Sequence, residues 1–281
     1  MRSRISGPAP KIDAGKRTTM AQRTWRFTGA LLALLLGACG GGDEEPEVAI
    51  TDPVQRCAGI GVQPYVANGT SCVPSAATPV VLLLVRDRDG DVGACSGVKV
   101  APGRVLTAAH CVDAQTRAVA GIVWNEQGQA TQIRASGWVA HPSFSEGDDY
   151  YVDDVAVVSF PDELPGPSAP VLGQRSPRAG QAILIAGWGA PDYTLAVGSA
   201  QLDKVAPDYL RIAYDGSLSN ACPGDSGGPA LRSVGGRQAV VGLVSTGTQD
   251  CKAGGQTFFV NLSKPAVLSF IRREVPQAEV L

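Results

Sequence analysis

From residue 80 onward the apolar residues fall in short recurring runs bounded by Gly, Pro, Asp or Asn. The runs are Val80–Val85, Val98–Val100, Arg104–Ala108, Gly121–Trp124, Val155–Ser159, Gln181–Ala186, Leu210–Tyr214, Val240–Ser245 and Thr257–Val260. They are rich in β-branched residues, and no helical period lies between them. The pattern therefore predicts an all-β body, a sandwich or barrels, rather than alternating βαβ units. One stretch departs from it. Lys264–Val275 sets Val267, Leu268, Ile271 and Val275 at helical spacing, which predicts a helix at the C-terminus. No internal repeat is visible.

The first 56 residues follow another pattern. Residues 1–38 carry seven Lys/Arg against one acidic residue and lead into the single apolar run Ala30–Leu36. A positive segment, a short apolar run and small residues after it read as a secretory signal peptide. The run cannot span a bilayer, which takes about 20 apolar residues. Met20, followed by Arg23 and Arg26, would begin a more compact signal than Met1. Leu36-Gly37-Ala38-Cys39 is similar to the bacterial lipobox, in which the cysteine is lipidated and becomes the first mature residue; an ordinary cleavage ahead of Cys39 is the rival reading. Residues 39–56 hold five acidic residues and one basic, with no apolar period, and read as a flexible acidic tether. Gly40 after the cysteine resembles lipoproteins sorted to the outer membrane. The expected organisation is thus a signal over 1–38, a tether over 39–56 and one domain over 57–281. The chain would be exported and lipid-anchored to a bacterial membrane, the outer one.

Composition narrows the class further. With 281 residues, 44% hydrophobic and only 18% charged, the chain can bury a sizeable core and is not a disordered polymer. The formal net charge is −2, but the signal segment hides a more acidic remainder: from Cys39 onward 17 basic residues face 25 acidic ones. A nucleic-acid partner is disfavoured accordingly. There are seven cysteines. Setting Cys39 aside leaves Cys57, Cys72, Cys95, Cys111, Cys222 and Cys251, an even set that reads as disulfides in an exported chain, with fifteen possible connectivities. With no C-x-x-C and two histidines, no metal site is expected, and no cofactor. The Glu146-Gly-Asp-Asp149 stretch reads as a solvated acidic loop rather than a calcium site.

Three motifs carry chemistry: Leu106-Thr-Ala-Ala-His110-Cys111, Asp153-Asp154-Val-Ala-Val-Val158 and Cys222-Pro-Gly-Asp-Ser-Gly-Gly-Pro229. Taken singly each has a plain structural reading, as a core histidine, a solvated loop end and a tight turn. Together and in this order they resemble the chymotrypsin/trypsin family of serine proteases. The resemblance covers about residues 79 to 275. It includes Pro79-Val80-Val81 at the first barrel strand, Val139-Ala-His141-Pro142 ahead of the aspartates, Gly187-Trp188-Gly189, and Val244-Ser245-Thr246-Gly247 on the strand that pairs with substrate backbone.

The resemblance implies two packed six-stranded antiparallel Greek-key barrels with a C-terminal helix, and a monomeric endopeptidase acting on protein or peptide substrates. It implies a triad of Ser226 as nucleophile, His110 as base and Asp154 as the residue orienting the imidazole, with backbone donors of Gly224 and Ser226 forming the oxyanion hole. Asp154 is preferred to Asp153 because Val-Ala-Val-Val follows it directly, and His141 is left as the non-catalytic histidine. The pocket floor falls at Asn220, with Ser245, Gly247 and Thr257 around it. An Asn there supplies no charge for a basic side chain, so a small or medium uncharged side chain is expected. The disulfides implied are Cys95–Cys111 and Cys222–Cys251, leaving Cys57 with Cys72. Two departures stand out. No Ile-Val-Gly-Gly sequence precedes Pro79, so the partner of Asp225 is open, and activity without tryptic processing is expected. The second barrel is short of loops. A catalytically idle lipoprotein that uses the fold for binding is the competing class, against which the full set His110, Asp154, Gly224 and Ser226 speaks.

Overall fold

The computed structural model describes residues 53–60, 71–190, 193–248 and 252–281. Cys39, the signal segment and most of the tether lie outside these residues. The described chain opens with a short helix, Pro53–Gly59 (α1), which begins inside the stretch read as tether.

Fourteen strands follow in two antiparallel sheets. The first sheet holds Val80–Asp87 (β1), Val92–Ala101 (β2), Arg104–Thr107 (β3), Thr116–Trp124 (β4), Ala130–Arg134 (β5), Gly137–Ala140 (β6) and Ala156–Ser159 (β7), in the order β5-β4-β1-β2-β3-β7-β6. The second holds Ala182–Gly187 (β8), Ala196–Gln201 (β9), Lys204–Val205 (β10), Tyr209–Ala213 (β11), Pro229–Val234 (β12), Arg237–Gly247 (β13) and Gln256–Asn261 (β14), in the order β10-β11-β14-β13-β12-β8-β9.

Each sheet closes on itself through one bent strand. Between β5 and β6, Ala135 N–H bonds to Val119 O on β4 while the next residue, Ser136, bonds to Ser159 O on β7. Between β9 and β10, Leu202 N–H bonds to Gln181 O while Asp203 bonds to Arg211 O on β11. In both cases one extended segment hands its hydrogen bonds from one neighbour to another and joins the two ends of the sheet, which leaves no open edge at the seam. Counting each bent strand once gives the expected six per barrel.

The hydrophobic runs form the barrel interiors. Val81, Leu83, Val105, Val119, Val158 and Phe160 fill the first, and Ile183, Ile185, Leu210, Ile212, Val241 and Phe259 the second. A third cluster joins Val98, Leu106 and Val157 of the first sheet to Leu184, Leu243 and Val260 of the second, together with Val267, Phe270 and Ile271 of the C-terminal helix Pro265–Glu274 (α2). The two barrels are thus one packed body at the level of β3, β7 and, through Leu231, β12, the strands that adjoin the three motifs. Trp124 and Trp188 stack across this junction with centroids 4.6 Å apart.

The strands that the apolar pattern missed have identifiable reasons. β5 is exposed at most positions, β9 is built of small residues, and β12 starts at a proline. None of them presents a run of large apolar side chains, and each exists because a neighbouring strand offers it a ladder.

Candidate active site

Strand β3 ends at Thr107, and a single 3-10 turn, Ala109–Val112, carries His110 and Cys111. The disulfide Cys95–Cys111 ties that turn back to β2. The Asp154 side chain, with no solvent exposure, meets His110 at two points: Oδ1 accepts the His110 backbone N–H at 2.9 Å, and Oδ2 lies 2.8 Å from Nδ1. Ser245 Oγ donates a third bond to Asp154 Oδ2 at 2.6 Å. Ser245 can do so because the register of β13 against β14 shifts between Val244 and Thr246, a bulge that re-aims the residue between them. A carboxylate held by three donors has its charge fully hydrogen-bonded although buried, and it fixes the ring with Nε2 away from itself.

Asp153 faces the other way. It is buried and adopts φ +53°, a left-handed conformation uncommon outside glycine. Its Oδ1 is 2.7 Å from Lys264 Nζ, and the same ammonium is 2.7 Å from Asp208. Both partners hold the Lys264 ammonium above its ordinary range against the opposing effect of burial. The second histidine belongs to this side. His141 Nδ1 accepts from Ser143 N–H, Nε2 points at Ala266 O, and the ring meets Phe270 edge-on. Asp154, not Asp153, reaches His110, and His141 is spent on the C-terminal helix.

The Cys222–Pro229 segment forms a tight loop ahead of β12. Gly224 has φ +97°, and a side chain there would press on Trp188 O and the Tyr193 ring. Within the loop Asp225 N–H bonds to Cys222 O and Gly227 N–H to Val244 O. The alternate amides, Gly224 and Ser226, have no acceptor among the described residues. Ser226 and Gly224 line one cleft of about 450 Å³ with His110, Tyr151, Ser245 and Gly247.

The partner of Asp225 is backbone. Its Oδ2 accepts Cys222 N–H at 2.9 Å, Gly189 N–H supplies a second bond, and the carboxylate sits so close over Gly187 and Gly189 that a side chain at either would collide with it. Burial dominates over these bonds and pushes its pKa up to about 6. Gly187-Trp188-Gly189 is therefore a seat for this carboxylate.

Of the expected specificity residues, Ser245, Gly247 and Thr257 line the cleft, and Thr257 Oγ1 donates to Asn220 Oδ1 at 2.6 Å. Asn220 also lines a cavity of about 90 Å³ with Ser219 and Asp225. The β13 segment 245–247 pairs with β14 on one side only, since its other neighbour β12 begins at Pro229 opposite Leu243.

Cys57–Cys72 is formed, and Cys222 is disulfide-bonded; its expected partner Cys251 lies outside the described residues. Among the described residues no group of side chains has the makings of a metal site. Two residues had no sequence signal, Tyr151 in the cleft and the buried Ser96 behind it. Tyr151 meets the His110 ring edge-on at 5.6 Å, its phenol pushed up by burial and by Glu146 and Asp154. Ser96, adjoining Cys95, contacts the Gly224 loop.

Comparison with known proteins identifies the family. Residues 66–269 match the family model described as Trypsin, thirteen residues further toward the N-terminus than Pro79. The chain is 32% identical over 210 residues to Serine protease 56 of Mus musculus, covering 64% of this chain and 34% of the other. It is 29% identical over 207 residues to Kallikrein-7 of Homo sapiens, covering 66% and 78%. It is 30% identical over 185 residues to Trypsin epsilon of Drosophila erecta, covering 54% and 67%. The chain spans only 34% and 40% of the mouse and human Serine protease 56 proteins.

Proposed function

Because the chain belongs to the trypsin family of serine proteases, we propose that it is a serine endopeptidase in which Ser226, His110 and Asp154 act as the triad. The observation that carries the reading is the Asp154–His110 pair, bonded at both the backbone and Nδ1, with His110 in one cleft with Ser226 and Gly224, whose amides have no acceptor among the described residues. Ser226 Oγ attacks the scissile carbonyl carbon while His110 Nε2 takes its proton. Asp154 stabilises the imidazolium through Nδ1–H and stays ionised. Negative charge develops on the carbonyl oxygen, where the N–H groups of Gly224 and Ser226 receive it. The tetrahedral intermediate collapses, the C–N bond breaks, and His110 returns the proton to the leaving amine. Water then repeats the attack on the acyl-enzyme, with His110 again as base, and frees Ser226.

Segment 245–247 offers its unpaired edge to the acyl side of the substrate, and Thr257 over Asn220 closes the side-chain pocket without charge. This favours a small or medium uncharged residue there. Asp225 with its two backbone donors supports an active loop without a processed N-terminus. The N-terminal sequence supports export and lipid attachment at Cys39, so that the protease works tethered to a membrane outside the cytoplasm, as a monomer on protein substrates.

A fluorophosphonate probe tests the reading. Wild type is expected to label and Ser226→Ala is not; equal labelling, or none in the unprocessed wild type, defeats it and leaves the idle binding module. The same probe in fractionated cells should find wild type with the membrane and Cys39→Ala in the soluble fraction. Peptide-library profiling that favoured Arg over Ala or Leu would overturn the pocket reading.

A further inference from the structure

Ser96 lies on β2 of the first barrel, with no solvent exposure, yet three of its hydrogen bonds go to the second barrel. Its backbone N–H donates to Ser226 O at 2.8 Å. Its Oγ donates to Gly224 O at 2.9 Å and accepts the Trp188 N–H at 2.9 Å. Both neighbours of the proposed nucleophile's loop, the Gly224 peptide and the Gly187-Trp188-Gly189 strand end beneath Asp225, are thereby joined through one hydroxyl.

We propose that Ser96 is the positioning residue of the oxyanion hole, holding the Gly224 loop in the conformation that leaves the Gly224 and Ser226 amides free. The inference deepens the protease reading and rests on it. The loop's other restraints are backbone bonds, Ala190 N–H to Pro223 O at 2.7 Å and Gly228 N–H to Asp225 O at 2.8 Å among them. Gly224 at φ +97° has no side chain to lock it, and Asp225 is held only by backbone donors, with no cation among the described residues. A glycine peptide of this kind turns over easily unless its carbonyl is claimed. Ser96 Oγ claims it: with Gly224 O drawn toward β2, the following amide, Asp225 N–H, faces Cys222 O, and the next, Ser226 N–H, faces the cleft. The hydroxyl proton is committed to Gly224 because the Trp188 N–H occupies the acceptor side. Donor and acceptor are both used, so the orientation of the hydroxyl is not free. Space around it is tight; a Cβ on Gly187 would come within 3.0 Å of Ser96 Oγ and one on Gly228 within 3.2 Å of its Cβ. The glycines at 187 and 228 leave room for this hydroxyl, and Ala or Gly at 96 would leave a buried carbonyl and a buried amide unpaired.

The test is Ser96→Ala, with Ser96→Cys, of nearly the same size and with a weaker donor, as the partial rescue. Acyl transfer uses the oxyanion hole in the transition state and little in the ground state, so kcat should fall about 10–100-fold in Ser96→Ala with KM nearly unchanged. The Ki of phenylboronic acid, whose tetrahedral adduct places an oxygen in the same hole, should rise by a similar factor, and Ser96→Cys should lie between. Thermal unfolding shows whether the variants fold. A merely structural serine would lower Tm while leaving kcat and the boronate Ki of the folded fraction at the wild-type values, and that result overturns the proposal. Failure of Ser96→Ala to fold passes the decision to Ser96→Cys, where wild-type kcat and Ki overturn it equally. An unreactive wild type would instead defeat the protease reading, and this role with it.

Discussion

Two acidic corners flank the cleft, and they solve the burial of a carboxylate in opposite ways. At the end of the first barrel, Asp154 has three donors, one of them an imidazole that can become a cation, while its neighbour Asp153 takes the Lys264 ammonium. Ahead of β12 in the second barrel, Asp225 has two backbone amides and, among the described residues, no cation, and its pKa is pushed up to about 6. The difference lies in what each carboxylate is for. In the proposed mechanism Asp154 meets a positive charge that appears and vanishes during the reaction, and so has to remain ionised. Asp225 has to hold the shape of a loop, which fixed N–H dipoles do at the cost of leaving the charge poorly compensated.

Breaking the first corner should have the largest effect. Asp154→Asn keeps the volume but presents an amide to His110 Nδ1, which favours the wrong tautomer; kcat is expected to fall by about 10⁴, measured by hydrolysis of an active ester at neutral pH. A loss of less than about tenfold would mean that this carboxylate does not serve the imidazole. Next comes the neighbouring ion pair. Lys264→Met leaves Asp153 buried and uncompensated, and should cost about 3 kcal/mol in urea unfolding. Asp153→Asn in the same background should recover much of it, because the orphaned charge is gone. If Lys264→Met alone were as stable as wild type, the bridge would be ornamental.

The second corner yields the smallest change, read through pH. Asp225 has a folded pKa raised above its unfolded value near 3.9, so the folded state binds the proton more tightly. The stability this contributes is full below about pH 4 and is lost as pH rises through about 6. Relative to Asp225→Asn, wild type should therefore lose about 2 kcal/mol of unfolding free energy between those values and follow a parallel course above them. Denaturant melts across that range check it; parallel curves throughout would show a carboxylate better compensated than its surroundings suggest.

Much of the chemistry is legible from the order of three short motifs, because a triad needs particular side chains and those are written in the letters. Choosing Asp154 over Asp153 also followed from the apolar run after it, since the register of β7 decides which residue the strand end delivers to His110. The seat of Asp225 was not legible. Its donors are the amides of Cys222 and Gly189, and every residue but proline has an amide, so no letter marks the two that converge. The partner of Asn220, placed at the pocket floor by the family resemblance, was not legible either: it is the hydroxyl of Thr257, from a strand 37 residues away.

The sequence by itself determined that this chain folds as β-strands with a helix at the C-terminus, and which side chains, Ser226, His110 and an aspartate, the proposed acyl transfer draws on. Period-two burial and side-chain chemistry are local properties, fixed residue by residue. Only the tertiary structure decided where the two sheets close, which amides remain free at Gly224 and Ser226, and that Ser96 of one barrel grips the loop of the other. These depend on backbone groups and on residues as far as 128 positions apart, and such pairings arise from packing two closed barrels against each other.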